Sequence, residues 1–205
     1  MQTFAGFTRF QTLAATKDYP KPPTALAHDG SALTLFFTNK YIFSNHYHCK
    51  ILIDGAFFIC TEQYYMYQKA RYFGDLDIAH LILAAKDPKE MKRLGRQVNG
   101  FEKSSWDTVS VQVMKTALFH KFVQNDTLRR ELFKTVGTTL VEASPMDNYW
   151  GVGLSIDNDA IRDPAQWRGQ NLLGHLLTTL REHLMIRPEY ADEVKEVTAE
   201  LKAAA

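Results

Sequence analysis

The sequence has few of the features that mark secreted, membrane-spanning or polyanion-binding proteins. Its 205 residues include only two cysteines, and 24 basic against 23 acidic side chains leave a net charge of +1. Such a balance gives no global field for gripping a phosphate polymer, so bulk nucleic-acid binding is not expected, although a local basic pocket remains compatible with it. The N-terminal segment lacks the unbroken apolar run of a signal peptide or membrane helix. These absences predict a soluble, cytoplasmic protein without a membrane partner.

The two cysteines, Cys49 and Cys60, lie in neighbouring apolar segments. A chain of this size buries roughly two-thirds of its unfolded surface and needs no disulfide or metal to hold a core, so we expect reduced, buried thiols. His46 and His48 precede Cys49 with the alternation of a metal site. No second pair of suitable spacing completes four zinc ligands, so no metal site is expected. No cofactor is expected either.

The order of turn formers and apolar patterns predicts an α+β fold that is predominantly α-helical, with a small antiparallel sheet near its start. A proline-containing extended arm is predicted over residues 1–30, one domain over residues 31–187, and a charged helical tail over residues 188–205. Strands are predicted at residues 33–37, 50–60 and 139–143, the second as a hairpin that turns at Asp54-Gly55. Helices are predicted at residues 61–73, 77–86, 88–99, 104–124, 126–137 and 171–184, with Thr61, Asp77, Asp87 and Asp126 marking helix starts.

One helix face carries groups suited to chemistry. In TEQYYMYQKARYF, Glu62, Tyr65, Met66 and Lys69 recur at helical spacing and project from one side. This face combines a carboxylate, an aromatic ring and an ammonium group. Spacing alone favours a plainer interpretation, in which Glu62 stabilises the first turn through the helix dipole and Lys69 is solvated.

A long loop between two predicted elements is the second region of interest. Asp147 and Trp150 precede Gly151, whose backbone permits close approach of a ligand and a nest of amides for phosphate oxygens. An ordinary turn with packed aromatics fits the same residues. Asn171 then stands at the start of an apolar helix, where it suits both an N-cap and contact with an anion.

Together these segments resemble the NADAR family, also called the YbiA-like family, in consistent order along nearly the whole chain after residue 33. The matching stretches are FSNHY (43–47), TEQYYMYQKA (61–70), Gly95-Arg96, SSWDTVSVQVMKTAL (104–118), DNYWGVGLS (147–155), WRGQNLLGHLL (167–177) and Leu180-Arg181. The resemblance implies a YbiA-like fold and an N-glycosidase. The implied reaction is hydrolysis of a ribose C–N bond in an ADP-ribose conjugate, such as ADP-ribosylated guanine, or in a phosphorylated riboflavin-pathway intermediate.

The resemblance also implies roles for individual residues. The motif carboxylates fall on Glu62 and Asp147, which we expect to be the catalytic acid/base groups. We expect Trp106 to stack on the leaving base, with Tyr65 beside it. Lys69, Arg96 and the Trp150-Gly151 loop are expected to bind phosphate. Asn171 is expected to contact ribose or phosphate oxygens. The substrate is a small nucleotide or ADP-ribose-type molecule, or an ADP-ribosylated nucleobase within nucleic acid. A non-catalytic module that binds ADP-ribose or an NAD derivative is the alternative.

Two positions depart from the family pattern. Gln63 stands where relatives often have His, and Val152 stands where some carry an acid. We expect these changes to affect substrate identity more than reaction type.

Overall fold

A computed structural model describes residues 19–204, so residues 1–18 of the predicted arm lie outside the described part. Its elements give the predominantly helical α+β fold that the sequence predicts. The strands are β1 (Thr24–Leu26), β2 (Ala32–Phe36), β3 (Ile51–Ile53), β4 (Ala56–Phe58) and β5 (Thr138–Glu142); the helices are α1 (Thr61–Tyr72), α2 (Leu76–Ala84), α3 (Pro88–Gly95), α4 (Lys103–Gln124), α5 (Asp126–Phe133), α6 (Leu172–Met185) and α7 (Ala191–Ala204). Within residues 19–204 no helix is both long and apolar enough to cross a membrane.

The described chain forms two compact units. One comprises residues 45–126, which hold β3, β4 and α1 to α4. The other comprises residues 19–44 and 127–204, which hold the remaining strands and helices.

In the first unit a hairpin leads into a cluster of helices. β3 and β4 pair antiparallel, with Ile51 opposite Phe58, and turn through Asp54 and Gly55 at φ values of 50° and 78°. Positive φ at both central residues is what a two-residue hairpin turn requires, which explains the Asp-Gly sequence. The buried faces of the hairpin pack with Tyr64 of α1 and Ala117 of α4.

Several helix starts in this unit differ from the predicted ones. Thr61 does not cap α1, because its hydroxyl donates to Asn45 instead, and Cys60 holds the N-cap position without a side-chain bond. Asp75 rather than Asp77 caps α2, accepting from the Ile78 amide at 3.1 Å. The predicted start of α3 is confirmed: Asp87 caps it and Pro88 follows. These shifts are one or two residues and leave the identity of each helix unchanged.

In the second unit β2 is the central strand of a three-stranded sheet. It pairs antiparallel with β1 and parallel with β5, so Leu35 lies opposite Val141. The parallel pairing, which joins residues about a hundred positions apart, was not predicted. α6 packs on β5, and the side chains beneath the sheet form an apolar core with Val152 and Ile161.

The predicted charged tail is a packed part of the second unit. Val197 of α7 and Tyr190 before it are buried. Arg129 of α5 donates to Glu193 at 2.7 Å, and Arg130 pairs with Glu196 at 2.8 Å. The charges of this segment therefore join α7 to α5.

Candidate functional site

Glu62 is a buried carboxylate at the start of α1. The residue is only 5% exposed, although it is the second residue of the helix. Its amide donates to the Asn45 carbonyl at 3.0 Å, and its Oε2 lies 3.8 Å from Nε2 of His46. A solvated first-turn glutamate is therefore excluded, since burial of a charged side chain is costly unless the group has a specific partner or task.

Seven residues along the same helix, Lys69 lies beside a second cation. Its Nζ donates to the Gly95 carbonyl at 2.8 Å and stands 3.7 Å from the centre of the Phe101 ring. Burial lowers the pKa of Lys69, and the positive charge of nearby Arg96 lowers it further. α3 approaches closely here because Gly95 has no side chain: a Cβ would lie 2.2 Å from Sδ of Met66. The sequence thus brings two like charges together at one end of the α1 face.

Trp106 and Tyr65 are joined directly. The indole Nε1–H donates to the Tyr65 hydroxyl at 2.9 Å, and the two rings meet edge to face at 5.3 Å. Trp106 also contacts the ring of Tyr72 and is only 5% exposed. The residues expected to line a base are therefore held rigidly against one another, and Tyr65 lies on the helix that carries Glu62.

In the second unit Asp147 organises the loop that the sequence singled out. Its Oδ1 accepts from the amides of Tyr149 at 3.0 Å and Trp150 at 2.8 Å, an Asx-type turn. Oδ2 makes no hydrogen bond with any residue in the range 19–204, and the residue is half-buried. One carboxylate oxygen thus fixes the loop, and these two bonds do not use the other.

The glycines of this region serve close packing of the chain against itself. A Cβ on Gly151 would lie 2.8 Å from the Glu142 carbonyl, and one on Gly169 would lie 2.3 Å from the Gly151 carbonyl. The Trp150 carbonyl accepts from the Leu173 amide at 3.0 Å, which ties the loop to α6. The predicted freedom of Gly151 is therefore used at least in part for contacts with β5.

Asn171 occupies the predicted N-cap position but does not cap the helix. Its backbone is left-handed, with φ of 50°, and its fully buried side chain bonds to β5. Nδ2 donates to the Leu140 carbonyl at 2.9 Å, and Oδ1 accepts from the Glu142 amide at 3.0 Å. Because both ends of the amide are used, the expected contact with ribose or phosphate would require these bonds to rearrange.

This bonding predicts a large structural effect at Asn171. Asn171→Gly removes the side chain without adding strain at positive φ, and it leaves a buried carbonyl and a buried amide of β5 unsatisfied. We expect a loss of about 2–3 kcal/mol in the free energy of unfolding in urea. As a matched control, Asn158→Gly removes one cap bond to the Ala160 amide and should cost only a few tenths of a kcal/mol. Equal losses in the two variants would contradict this role.

Residues that the sequence analysis did not select also lie in these regions. Glu142, at the end of β5, is a carboxylate only 8% exposed, and its signal was a charge at the end of an apolar strand. Asn45 is equally buried and accepts from both the amide of Glu62 and the hydroxyl of Thr61. Its position in FSNHY gave no hint of this, because the bond joins a loop to a helix start.

The two departures from the family pattern both face the interior. Gln63 accepts from the Ile59 amide at 2.9 Å and donates to carbonyls at the end of α2, including that of Ile82 at 3.0 Å. Val152 is fully buried in the core of the second unit. The contacts of both side chains are therefore interior ones, and they do not support the expectation that these residues alter substrate identity.

The histidine and cysteine segment does not assemble a metal cluster in the described range. Across residues 19–204 no group of three or more His, Cys, Asp or Glu side chains lies close enough together to hold an ion. Both thiols are free, and burial raises the pKa of Cys60 to about 12.

Comparison with known proteins places these features in a family. The NADAR domain model matches residues 35–185. Protein irg-1 of Caenorhabditis elegans is 42% identical over 145 residues, which are 70% of this chain and 68% of that protein. Riboflavin biosynthesis protein VVA0006 of Vibrio vulnificus is 31% identical over 152 residues, 74% of this chain but only 38% of that longer protein.

A solved relative shares the fold. N-glycosidase YbiA of Escherichia coli is 35% identical over 144 residues, 70% of this chain and 81% of that protein. Its NMR structure superposes with a TM-score of 0.62 and 32% identity, covering 75% of this chain and 85% of YbiA. The class of protein is thus the one predicted, a hydrolase acting on N-glycosyl bonds. The chain belongs to the NADAR domain family.

Proposed function

We propose that this protein hydrolyses the C–N bond between ribose and a nitrogen in a phosphorylated nucleotide. The two substrate classes are an ADP-ribose conjugate, such as ADP-ribosylated guanine, and a phosphorylated riboflavin-pathway intermediate. The observation that carries the proposal is the face of α1, where buried Glu62 and the Lys69–Arg96 pair stand seven residues, or about 10 Å of helix, apart. An acid at one end and an anion-binding pair at the other suit a substrate with a glycosidic bond and a phosphate.

The reaction calls for two kinds of carboxyl group. Breaking the bond develops positive charge on the ribose ring while the departing nitrogen gains electrons, so a carboxylate near the sugar and an acid near the nitrogen both lower the barrier. We assign Glu62 to proton transfer with the leaving nitrogen. We assign Asp147 to activation of water or stabilisation of the sugar cation, with its unbonded Oδ2 as the acting atom. The burial of Glu62 supports the first role, since a low-dielectric setting favours the protonated form of a carboxyl group.

The phosphate contacts are assigned to Lys69 and Arg96. Burial lowers the pKa of Lys69 most, and the positive charge of Arg96 lowers it further, so the two cations repel each other. An anion between them removes that repulsion and accepts charge-assisted hydrogen bonds from both. Phe101 covers the Lys69 ammonium group on one side.

The remaining assignments concern the base and the loop. Trp106 and Tyr65 are rigid, with their polar atoms bonded to each other, so a base would contact ring surface rather than the indole N–H. Trp150 and Gly151 are proposed to line the substrate through the loop that Asp147 holds. Asn171 is proposed to act indirectly: its side chain bonds to β5 and holds the end of that strand, where the loop begins.

The direct test is turnover of candidate substrates. Purified protein is incubated with ADP-ribosylated guanosine and, separately, with the phosphorylated aminopyrimidine intermediate, and released base or sugar phosphate is measured. Hydrolysis of one substrate identifies the class. Tight binding of ADP-ribose without turnover of either substrate would replace the enzyme by the alternative, a binding module. The similarity to the N-glycosidase YbiA favours turnover. The riboflavin intermediate is tested because the Vibrio relative is a riboflavin biosynthesis protein.

The anion-binding pair gives a kinetic prediction. Lys69→Gln and Arg96→Gln should each raise KM about tenfold or more while changing kcat less, because each removes a charge-assisted contact with the non-reacting phosphate. Arg93→Gln is the matched control on α3, since Arg93 is already paired with Glu90 at 2.6 Å. The KM of a substrate analogue without phosphate should not change in any of the three variants. If Arg93→Gln raises KM as much as Arg96→Gln does, the effect is one of net charge and the assignment fails.

A further inference from the structure

His46 stands beside the buried carboxyl group of Glu62 and has no assigned task. Its Nε2 lies 3.8 Å from Oε2 of Glu62. The histidine side chain is 28% exposed, whereas that of Glu62 is 7% exposed. His46 therefore borders the carboxyl group on a side that solvent or a ligand reaches.

The position of His46 is fixed by its neighbour in the chain. Asn45 is buried, and its carbonyl accepts from the Glu62 amide at 3.0 Å and from the Thr61 hydroxyl at 3.1 Å. Oδ1 of Asn45 accepts from the same hydroxyl at 3.0 Å. These bonds clamp the loop onto the first turn of α1, so the residue after Asn45 is held next to the second residue of the helix.

The surroundings of His46 favour a neutral ring. Burial lowers its pKa most, and the positive charge of Lys92 lowers it further. Lys89 and His48 act in the same direction, while Asp87 raises the pKa. The pKa of His46 therefore lies below its usual value, which favours the neutral imidazole.

We propose that His46 is a positioning residue that orients the Glu62 carboxyl group for proton transfer, a role that rests on the proposed N-glycosidase function. In this arrangement the neutral ring directs its Nε2–H at Oε2 and tightens from 3.8 Å to a hydrogen bond when substrate binds, as catalytic contacts often do. Glu62 gives its proton to the leaving nitrogen, and the N–H of His46 stabilises the carboxylate that remains. An imidazolium would instead hold Glu62 as a carboxylate before the reaction and remove the acid.

Variants at two histidines test the role. His46→Phe, which keeps a ring but no donor, should lower kcat about tenfold with little change in KM. His46→Gln, which restores an N–H donor, should recover most of that loss. His48→Gln is the matched control, since His48 is an exposed histidine two residues away. Equal kcat in the parent protein and His46→Phe would overturn the proposal.

The pH profile separates positioning from mere packing. Activity of the parent should fall as pH drops through the pKa of His46. Lys92→Gln should raise the pKa of His46, which NMR of the ring measures, and should move the acid limb of the kcat profile to higher pH. Arg93→Gln should change neither the pKa nor the acid limb. In a His46→Gln background Lys92→Gln should leave the acid limb in place; a shift there would refute the role of His46.

If the parent turns over neither candidate substrate, the proposed function fails and this inference falls with it. Turnover that is indifferent to His46 defeats the inference alone.

Discussion

Glu62→Gln is expected to lower kcat by about 100-fold or more, the usual cost of losing a positioned proton-transfer group. Glutamine keeps the size of the side chain and a polar atom near His46, so the buried space at the start of α1 stays filled. It cannot release a proton to a leaving nitrogen at any accessible pH. The measurement is single-turnover release of base from whichever candidate substrate the protein accepts, together with a melting curve to show that the variant is folded.

The control for Glu62→Gln is Glu90→Gln. Glu90 is also a glutamate in the first turn of its helix, α3, but it is more exposed and pairs with Arg93. If the charge of Glu62 mattered only through the helix dipole, the two substitutions would have similar small effects on stability and none on kcat. A rate for Glu62→Gln within a few fold of the parent would remove Glu62 from the mechanism.

The sequence predicts helix and strand identities well because each carries its own local signal. The Asp54-Gly55 turn and the Asp87-Pro88 helix start need only a few neighbouring residues to specify them, and both appear as predicted. Local reasoning fails where a side chain finds a distant partner. Thr61 gives up the cap of α1 because Asn45 accepts its hydroxyl, and the parallel pairing of β2 with β5 leaves no mark in either strand.

The candidate residues divide in the same way. Spacing placed Glu62, Tyr65 and Lys69 on one helix face, and periodicity suffices for that statement. It could not tell that Glu62 is buried, because burial depends on the loop that Asn45 clamps over the helix start. Nor could it assign Asn171 to β5, since the two segments meet only in the folded chain.

Asp147→Asn is the substitution that separates the two interpretations of the loop. Asparagine retains an Oδ1 that can accept from the Tyr149 and Trp150 amides, so the turn is preserved while the charge is lost. If Asp147 acts chemically, kcat should fall about 100-fold with an unchanged melting temperature. If Asp147 only shapes the loop, Asp147→Asn should match the parent, and Asp147→Ala alone should impair both activity and stability.

Asp163→Asn provides the comparison for the loss of charge. Asp163 likewise accepts a backbone amide, that of Ala165 at 3.0 Å, at the start of a short 3₁₀ segment in the same unit. Its substitution should leave kcat unchanged. Full activity in Asp147→Asn would show that another carboxylate has the sugar-side role. Glu142 would be tested next, because it is more deeply buried than Asp147 and its backbone carbonyl accepts from the amide of Val152, the residue after Gly151. A loss in Asp147→Asn but not in Asp163→Asn would instead locate the effect at Oδ2, the carboxylate oxygen that the loop does not use.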